Sequence, residues 1–215
     1  MSTLMYISEI IAALVATIFF YKYKHLPIKT ILYILWIAVI TEGMARVYSH
    51  YYHNNHWVYN LYAFLFYTLF YKMIYDHIKN KTRKRLVLVI ATIMMTAVII
   101  RGFTVPVITF YMSKTYSIAM VVMVFLLMIY AVERLKSDDS LRVKNELALF
   151  VFTAYLVFGI SFIPLAPFLT GQMDFNYSRA MLDILRGVQT AALLFANALL
   201  VFGFIWTKPR AREVL

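Results

Sequence analysis

Apolar stretches close to the length of a membrane-spanning helix alternate with short polar segments along the whole chain. A helix rises about 1.5 Å per residue, so it needs roughly 20 mostly apolar residues to cross the hydrocarbon core of a bilayer. The connections are too short to fold by themselves. The pattern predicts an all-α integral membrane protein, a single heptahelical transmembrane domain over residues 1–215. The predicted helices cover 4–21, 30–48, 57–75, 86–104, 112–132, 147–168 and 180–206.

Composition agrees with a lipid environment. Hydrophobic residues make up 63% of the chain and charged residues 14%, against about 45–50% and about 25% in soluble domains. A soluble chain of this length has no means of hiding so much apolar surface. The first apolar run also lacks the basic segment and the cleavage site of a signal peptide, so we expect it to be retained as a helix. The chain is therefore expected in a cell membrane as a multi-pass protein.

The basic residues are distributed unevenly between the two ends of the predicted helices. Sixteen lysines and arginines lie in or beside the first, third and fifth connections and the C-terminal tail, and only three, Arg101, Lys114 and Arg179, lie at the opposite ends. Basic residues concentrate on the cytoplasmic side of membrane proteins. The N-terminus is predicted outside and the C-terminus in the cytoplasm. The net charge of +11 is thus a topology signal, and no nucleic-acid partner is expected.

Glu42 and Arg46 lie inside the second predicted helix, within the stretch TEGMARVYSHYYHNNHWVYNLY at 41–62. A spacing of four residues places both side chains on one helix face. A charge at membrane depth costs at least ~2.5 kcal/mol, so such groups normally pair and turn away from lipid. The sequence predicts an ion pair within the second helix that faces the interior of the bundle.

Further polar residues fall in the outer half of the bundle under this orientation. Asp183 and Arg186 are spaced for a second local ion pair on the seventh helix, and Arg101 ends the fourth. Asn60 and Tyr67 share one face of the third helix. Arginine holds carboxylate or phosphate groups bidentately, which favours an anionic or amphiphilic small-molecule ligand. Alternatively, each charged pair only neutralises itself so that its helix can insert. The predicted ligand site comprises Glu42, Arg46, Asn60, Tyr67, Arg101, Asp183 and Arg186.

Three histidines, His50, His53 and His56, follow the second helix at intervals of three. This spacing matches no established zinc signature, and the chain has no cysteine. Solvated interfacial histidines are the preferred interpretation, with a metal site or a pH-sensing role as alternatives. Residues 187–204 contain no lysine that could hold retinal, and no facing intramembrane histidines are present for haem. We therefore expect neither a metal nor a cofactor.

The segments SEIIAALVATIFFYKYK and NNHWVYNLYAFLFYTLF resemble an uncharacterised group of small seven-helix bacterial membrane proteins. The resemblance covers roughly the first three predicted helices and names no activity. It implies a location in the bacterial inner membrane, so that the outer side would be the periplasm.

Three classes of function fit these features. The preferred one is a ligand-binding sensor or accessory protein with an outward-facing polar pocket, which signals through a partner because the chain carries no output domain. The basic segment at 79–86 could contact that partner or anionic lipid. An intramembrane enzyme that acts on a lipid head group at the outer leaflet is the alternative, although no nucleophile or phosphate-binding motif is found. A transporter ranks third, because the inner half has no charged path and no repeat is detected.

Overall fold

Residues 3–52, 54–108, 111–136, 146–165 and 179–208 are described by the structure, a computed structural model, and within these ranges the chain is all-α. This confirms that the fold is all-α, as predicted. Two short 3-10 turns, Phe20–Lys22 and Pro27–Lys29, connect the first two helices. The α-helices of the described residues are α1 (Thr3–Ile18), α2 (Thr30–Tyr52), α3 (His56–His77), α4 (Lys81–Thr104), α5 (Ser113–Leu135), α6 (Leu147–Phe162) and α7 (Arg179–Trp206).

Helix boundaries differ from the predicted ones where capping groups or proline intervene. The start of α4 lies five residues before the predicted position 86, because the Asn80 side chain accepts hydrogen bonds from the backbone N–H groups of Thr82 (3.0 Å) and Arg83 (3.1 Å). Such a cap lets the charged first turn remain helical. Nearer the other end of the chain, α6 ends at Phe162, two residues before Pro164, because proline has no backbone N–H with which to continue the helical hydrogen bonds. Positions 166–168 of the predicted sixth helix lie outside the described residues.

Four helical segments are long and apolar enough to cross a membrane: Pro27–Tyr52, Lys81–Thr104, Ser113–Leu135 and Met181–Trp206. Two shorter apolar helices, α1 and α6, have 16 residues each. Although α3 has 22 residues, it is not among the four. Its tyrosines, Asn60 and other polar groups lower its hydropathy, and nine of its residues are buried within the protein. The least apolar of the long helices is therefore an interior one.

Six of the helices close into a ring. Contacts join α1 to α2, α2 to α3, α3 to α5, α5 to α6, α6 to α7, and α7 back to α1. The remaining helix, α4, packs outside this ring against α3 and α5. Its buried side chains, Val87, Met94 and Val98, form one narrow stripe, so the rest of its surface faces outward. The centre of the protein is enclosed by the ring of six.

Two glycines allow close approach of the helices around α6. A Cβ atom on Gly203 of α7 would lie 2.7 Å from Cβ of Phe150, and one on Gly159 of α6 would lie 2.6 Å from Cγ2 of Val124. Both distances are well inside normal carbon–carbon contact. Small residues at helix interfaces permit such packing, which gains dispersion energy where no hydrophobic effect operates between helices.

Side chains also tie the helix ends at the side where α1 leads into α2. The Lys22 ammonium donates hydrogen bonds to the backbone carbonyls of Phe204 (3.0 Å) and Ile205 (2.9 Å), near the end of α7. Those carbonyls have no partner within the helix, so a cation there satisfies them and complements the helix dipole. The first connection is thereby joined to the last helix.

Candidate functional site

A cavity of about 340 Å³ lies inside the six-helix ring. All six ring helices contribute to its lining, and α4 contributes no lining residue in the part of the chain that the structure describes. Most of the wall is apolar or aromatic. Two glutamates and four tyrosines of the lining form what we call the carboxylate–tyrosine cluster: Glu9, Glu42, Tyr59, Tyr62, Tyr111 and Tyr155. The other polar lining residues are Tyr67, Ser113, Tyr116, Ser117, Gln189 and Asn197.

The two glutamates come from neighbouring helices. Glu42 projects from α2, and the hydroxyl of Tyr59 on α3 donates a hydrogen bond to its Oε1 atom at 3.2 Å. Glu9 projects from α1 and lies within electrostatic range of Glu42 and Arg46. Its Oε2 atom is buried and has no hydrogen-bond partner among the described residues. The cavity is therefore bordered by two carboxylates that their surroundings satisfy incompletely.

Tyrosine hydroxyls complete the cluster. Tyr62 and Tyr155 lie deep inside the ring and interact electrostatically with each other. Tyr62 also lies within electrostatic range of both glutamates. Within the described ranges neither hydroxyl has a hydrogen-bond partner, although each side chain retains some accessible surface. Both groups are available to hydrogen-bond a molecule that enters the cavity.

Much of the remaining wall is apolar, and several of its polar groups are already engaged; Gln189 is an exception, since its Oε1 atom is buried without a hydrogen-bond partner among the described residues. The Tyr67 hydroxyl donates to the Tyr116 carbonyl at 3.0 Å, and the Tyr116 hydroxyl donates to the Asn60 carbonyl at 2.9 Å. Phe66 and Met120 contribute apolar surface beside them. The cavity is thus amphipathic, with polar groups in the cluster and at Gln189 and mostly apolar surface elsewhere.

Two of the sequence-predicted site residues, Glu42 and Tyr67, line this cavity. Asn60 is buried but has a different position. Its amide nitrogen donates to the Val107 carbonyl at 2.8 Å, and its amide oxygen accepts from the Met112 backbone N–H at 3.1 Å. These bonds hold the connection between α4 and α5 against α3. Asn60 is accordingly not among the residues that line the cavity.

The predicted ion pair within α2 is wrong, since no salt bridge joins Glu42 to Arg46 among the described residues. Arg46 is exposed, and its guanidinium carbon lies 4.5 Å from the ring centre of Tyr6 on α1. Glu42 instead accepts the hydrogen bond from Tyr59 on the inner side. Inner packing and the outer aromatic ring draw the two side chains apart, although their spacing would permit pairing.

The other predicted charges lie away from the cavity. Arg186 Nη1 is 3.8 Å from Asp183 Oδ1, so this local pair forms as the spacing predicted, but the two side chains are 64% and 73% exposed. The first α7 residue that lines the cavity is Gln189, farther along the helix. Arg101 is exposed in the last turn of α4, outside the ring. The structure does not bring these three residues into one site with Glu42.

The histidines form no cluster in the described part of the chain. His50 is exposed near the end of α2, and His56 begins α3, where its ring lies 6.4 Å from that of Tyr111. His53 lies outside the described residues. No group of three or more potential metal ligands is found among the described histidines, aspartates and glutamates.

Sequence reasoning missed most of the carboxylate–tyrosine cluster. Glu9 carries a signal, because it is the only charged residue within α1. The tyrosines carry none, since the chain has 17 of them and tyrosine is common at membrane interfaces for unrelated reasons. No family model, curated protein or solved structure matches this chain.

Proposed function

We propose that this chain is a seven-span membrane protein that binds one small amphiphilic molecule in its central cavity and acts as a sensor or accessory protein. The packing of the ring supports a count of seven membrane-spanning helices. The two shorter helices, α1 and α6, each pack against helices that are long and apolar enough to cross a bilayer. Sixteen residues supply about 24 Å of helix, and the turn Phe20–Lys22 extends α1 farther. In this proposal the N-terminus is outside and the C-terminus cytoplasmic, as the basic residues indicate.

The observation that carries the proposal is the amphipathic cavity. Its volume of about 340 Å³ falls in the ordinary range for small-molecule sites, about 300–1,000 Å³. Such sites combine apolar walls with a few convergent polar groups, and the carboxylate–tyrosine cluster provides those groups. An amphiphile would place its polar end in the cluster and its hydrocarbon part along Phe66 and Met120.

Binding is favoured over catalysis because the polar cluster contains carboxylates and phenols but no histidine beside a nucleophile within the described residues. Signalling would then require a partner, and the exposed Lys81 and Arg85 at the start of α4 offer a cytoplasmic contact surface in this topology. The resemblance of the first three helices to bacterial membrane proteins supports the bacterial inner membrane as the location.

A cavity-filling substitution tests the proposal. Ala38 lines the cavity and retains some accessible surface, so a phenylalanine there would occupy part of the space. Ala97 is exposed on α4, and Ala97→Phe is the matched control. We expect 1-hexanol and hexyltrimethylammonium to raise the melting temperature of the wild-type protein and of Ala97→Phe, but not of Ala38→Phe.

The melting temperatures would be measured in a neutral sugar detergent by tryptophan fluorescence. If the hexyl compounds affect Ala38→Phe and Ala97→Phe equally, they bind outside the cavity and the proposed function is wrong.

A further inference from the structure

We infer that the central cavity selects amphiphiles whose polar end is a cation, an amine or a quaternary ammonium group. This inference rests on the proposed function and names its ligand class. It departs from the anionic ligand that the sequence favoured, because the arginines on which that prediction rested do not line the cavity.

Charge gives the first argument. Glu9 and Glu42 both line the cavity, and no lysine, arginine or histidine lines it among the described residues. Arg46, which lies within electrostatic range of Glu9, is exposed and stacked on Tyr6. An anion in this space would meet two carboxylates and no basic side chain in the described lining. Carboxylates inside a protein are stabilised by an opposite charge or by several hydrogen bonds, and a bound cation would supply the charge.

Unsatisfied atoms give the second argument. Glu9 Oε2 and Gln189 Oε1, two acceptors on residues that line the cavity, are buried without a hydrogen-bond partner among the described residues. A primary ammonium group carries N–H donors for carboxylate, amide and hydroxyl oxygens, whereas a quaternary ammonium group supplies only its charge. One primary amine could therefore satisfy several of these acceptors together, which a carboxylate-bearing ligand has no donors to do.

The aromatic wall gives the third argument. Tyr59, Tyr62, Tyr111 and Tyr155 all line the cavity, and the first, second and fourth of them lie within electrostatic range of Glu9. The faces of aromatic rings are electron-rich and attract cations, most strongly where water is excluded, and cages of such rings are a recurrent way of holding quaternary ammonium groups. Tyrosines and carboxylates in one enclosed space therefore favour the same charge.

The test compares three hexyl compounds that differ in their polar ends: hexyltrimethylammonium, 1-hexanol and hexanoate. Affinities would be measured by calorimetry on the full chain in a neutral sugar detergent. We expect the wild-type protein to bind the cation at least about ten-fold more tightly than the alcohol, which is about 1.4 kcal/mol, and to bind hexanoate most weakly.

Neutral substitutions identify the groups responsible. Glu9→Gln and Glu42→Gln keep the shape of each side chain, and glutamine can still accept the Tyr59 hydrogen bond. Each is expected to weaken binding of hexyltrimethylammonium about ten-fold while leaving 1-hexanol nearly unchanged. Asp183→Asn is the matched control, because Asp183 is exposed on α7 and does not line the cavity. It should leave the affinity for the cation unchanged.

The outcomes separate this inference from the proposed function. If 1-hexanol or hexanoate binds as tightly as the cation, and Ala38→Phe abolishes that binding, the cavity is a binding site but its selectivity for cations is wrong. Unchanged affinity for the cation in both glutamine variants would also overturn the inference. If only one of the two variants folds, its affinity alone decides. If Ala38→Phe affects none of the three compounds, the proposed function fails as well.

Discussion

Replacing Gly203 with alanine probes the closest helix contact of the ring. The added Cβ atom would lie 2.7 Å from Cβ and 3.0 Å from Cγ of Phe150, whereas carbon atoms pack best at about 3.5–4.0 Å. The Cβ atom of Phe150 is fixed to its backbone, so α6 and α7 must separate by several tenths of an ångström. Gly187, on the same helix, is exposed and has nothing within 4 Å of its Cβ position. It provides the matched control.

The expected magnitude follows from two opposing effects. Inserting a methyl group into a well-packed interior costs about 1–3 kcal/mol, while replacing glycine by alanine within a helix gains about 1 kcal/mol. The helix gain applies to both variants and cancels between them. Gly203→Ala should therefore unfold with a free energy about 1–3 kcal/mol lower than Gly187→Ala.

Both free energies of unfolding can be measured by titrating dodecyl maltoside micelles with sodium dodecyl sulfate and following tryptophan fluorescence. The wild-type protein is the common reference. Equal free energies for the two variants would refute the close contact of α6 with α7, and with it the position of α7 in the cavity wall.

Three further predictions concern other parts of the chain. Lys22→Met should lower the free energy of unfolding by about 1.5–3 kcal/mol, because it removes charge-assisted bonds to two carbonyls of α7, whereas Lys24→Met, at an exposed position, should change it by less than about 0.5 kcal/mol in the same titration. Asn60→Ala leaves the buried Met112 N–H and the half-buried Val107 carbonyl without these partners, at about 1–3 kcal/mol for the buried group, and should accelerate hydrogen exchange in the α4–α5 connection; unchanged exchange would contradict the bonds described. In intact cells an impermeant maleimide should label Lys114→Cys but not Lys81→Cys, and the reverse pattern would invert the proposed topology.

The helices were predictable because a single physical requirement, an apolar run of sufficient length, determines where each one lies. All seven predicted helices have counterparts in the structure, with ends that differ by up to a few residues. The larger differences arise where hydropathy is uninformative. Hydropathy alone does not indicate that Asn80 caps a helix whose first turn is basic, or that α2 continues to Tyr52 through polar residues.

The candidate site was predictable only in part, since a helical stripe shows which residues share a face but not which face turns inward. Glu42 does line the cavity. Asp183 and Arg186 also share a region of α7, yet they lie near its beginning, where a helix end can expose charged side chains, so their partnership is only local. Arg46 on α2 shows the same limit. Its guanidinium group lies over the ring of Tyr6 on α1 and does not pair with the Glu42 carboxylate one turn away.

The arrangement of the ring suggests a better criterion than charge for finding the interior of such a bundle. The fourth helix, whose mean hydropathy of 2.3 equals the highest value among the four long apolar segments, packs outside the ring. By contrast α3, too polar to be counted with those four, has nine buried residues and supplies five that line the cavity. Between apolar helices in lipid there is little hydrophobic drive for burial, so a helix that carries amides and phenols gains most from an interior position where those groups find partners. On α3, Tyr59 finds such a partner in Glu42 of the preceding helix, while Tyr67 and Tyr71 donate to backbone carbonyls of α5.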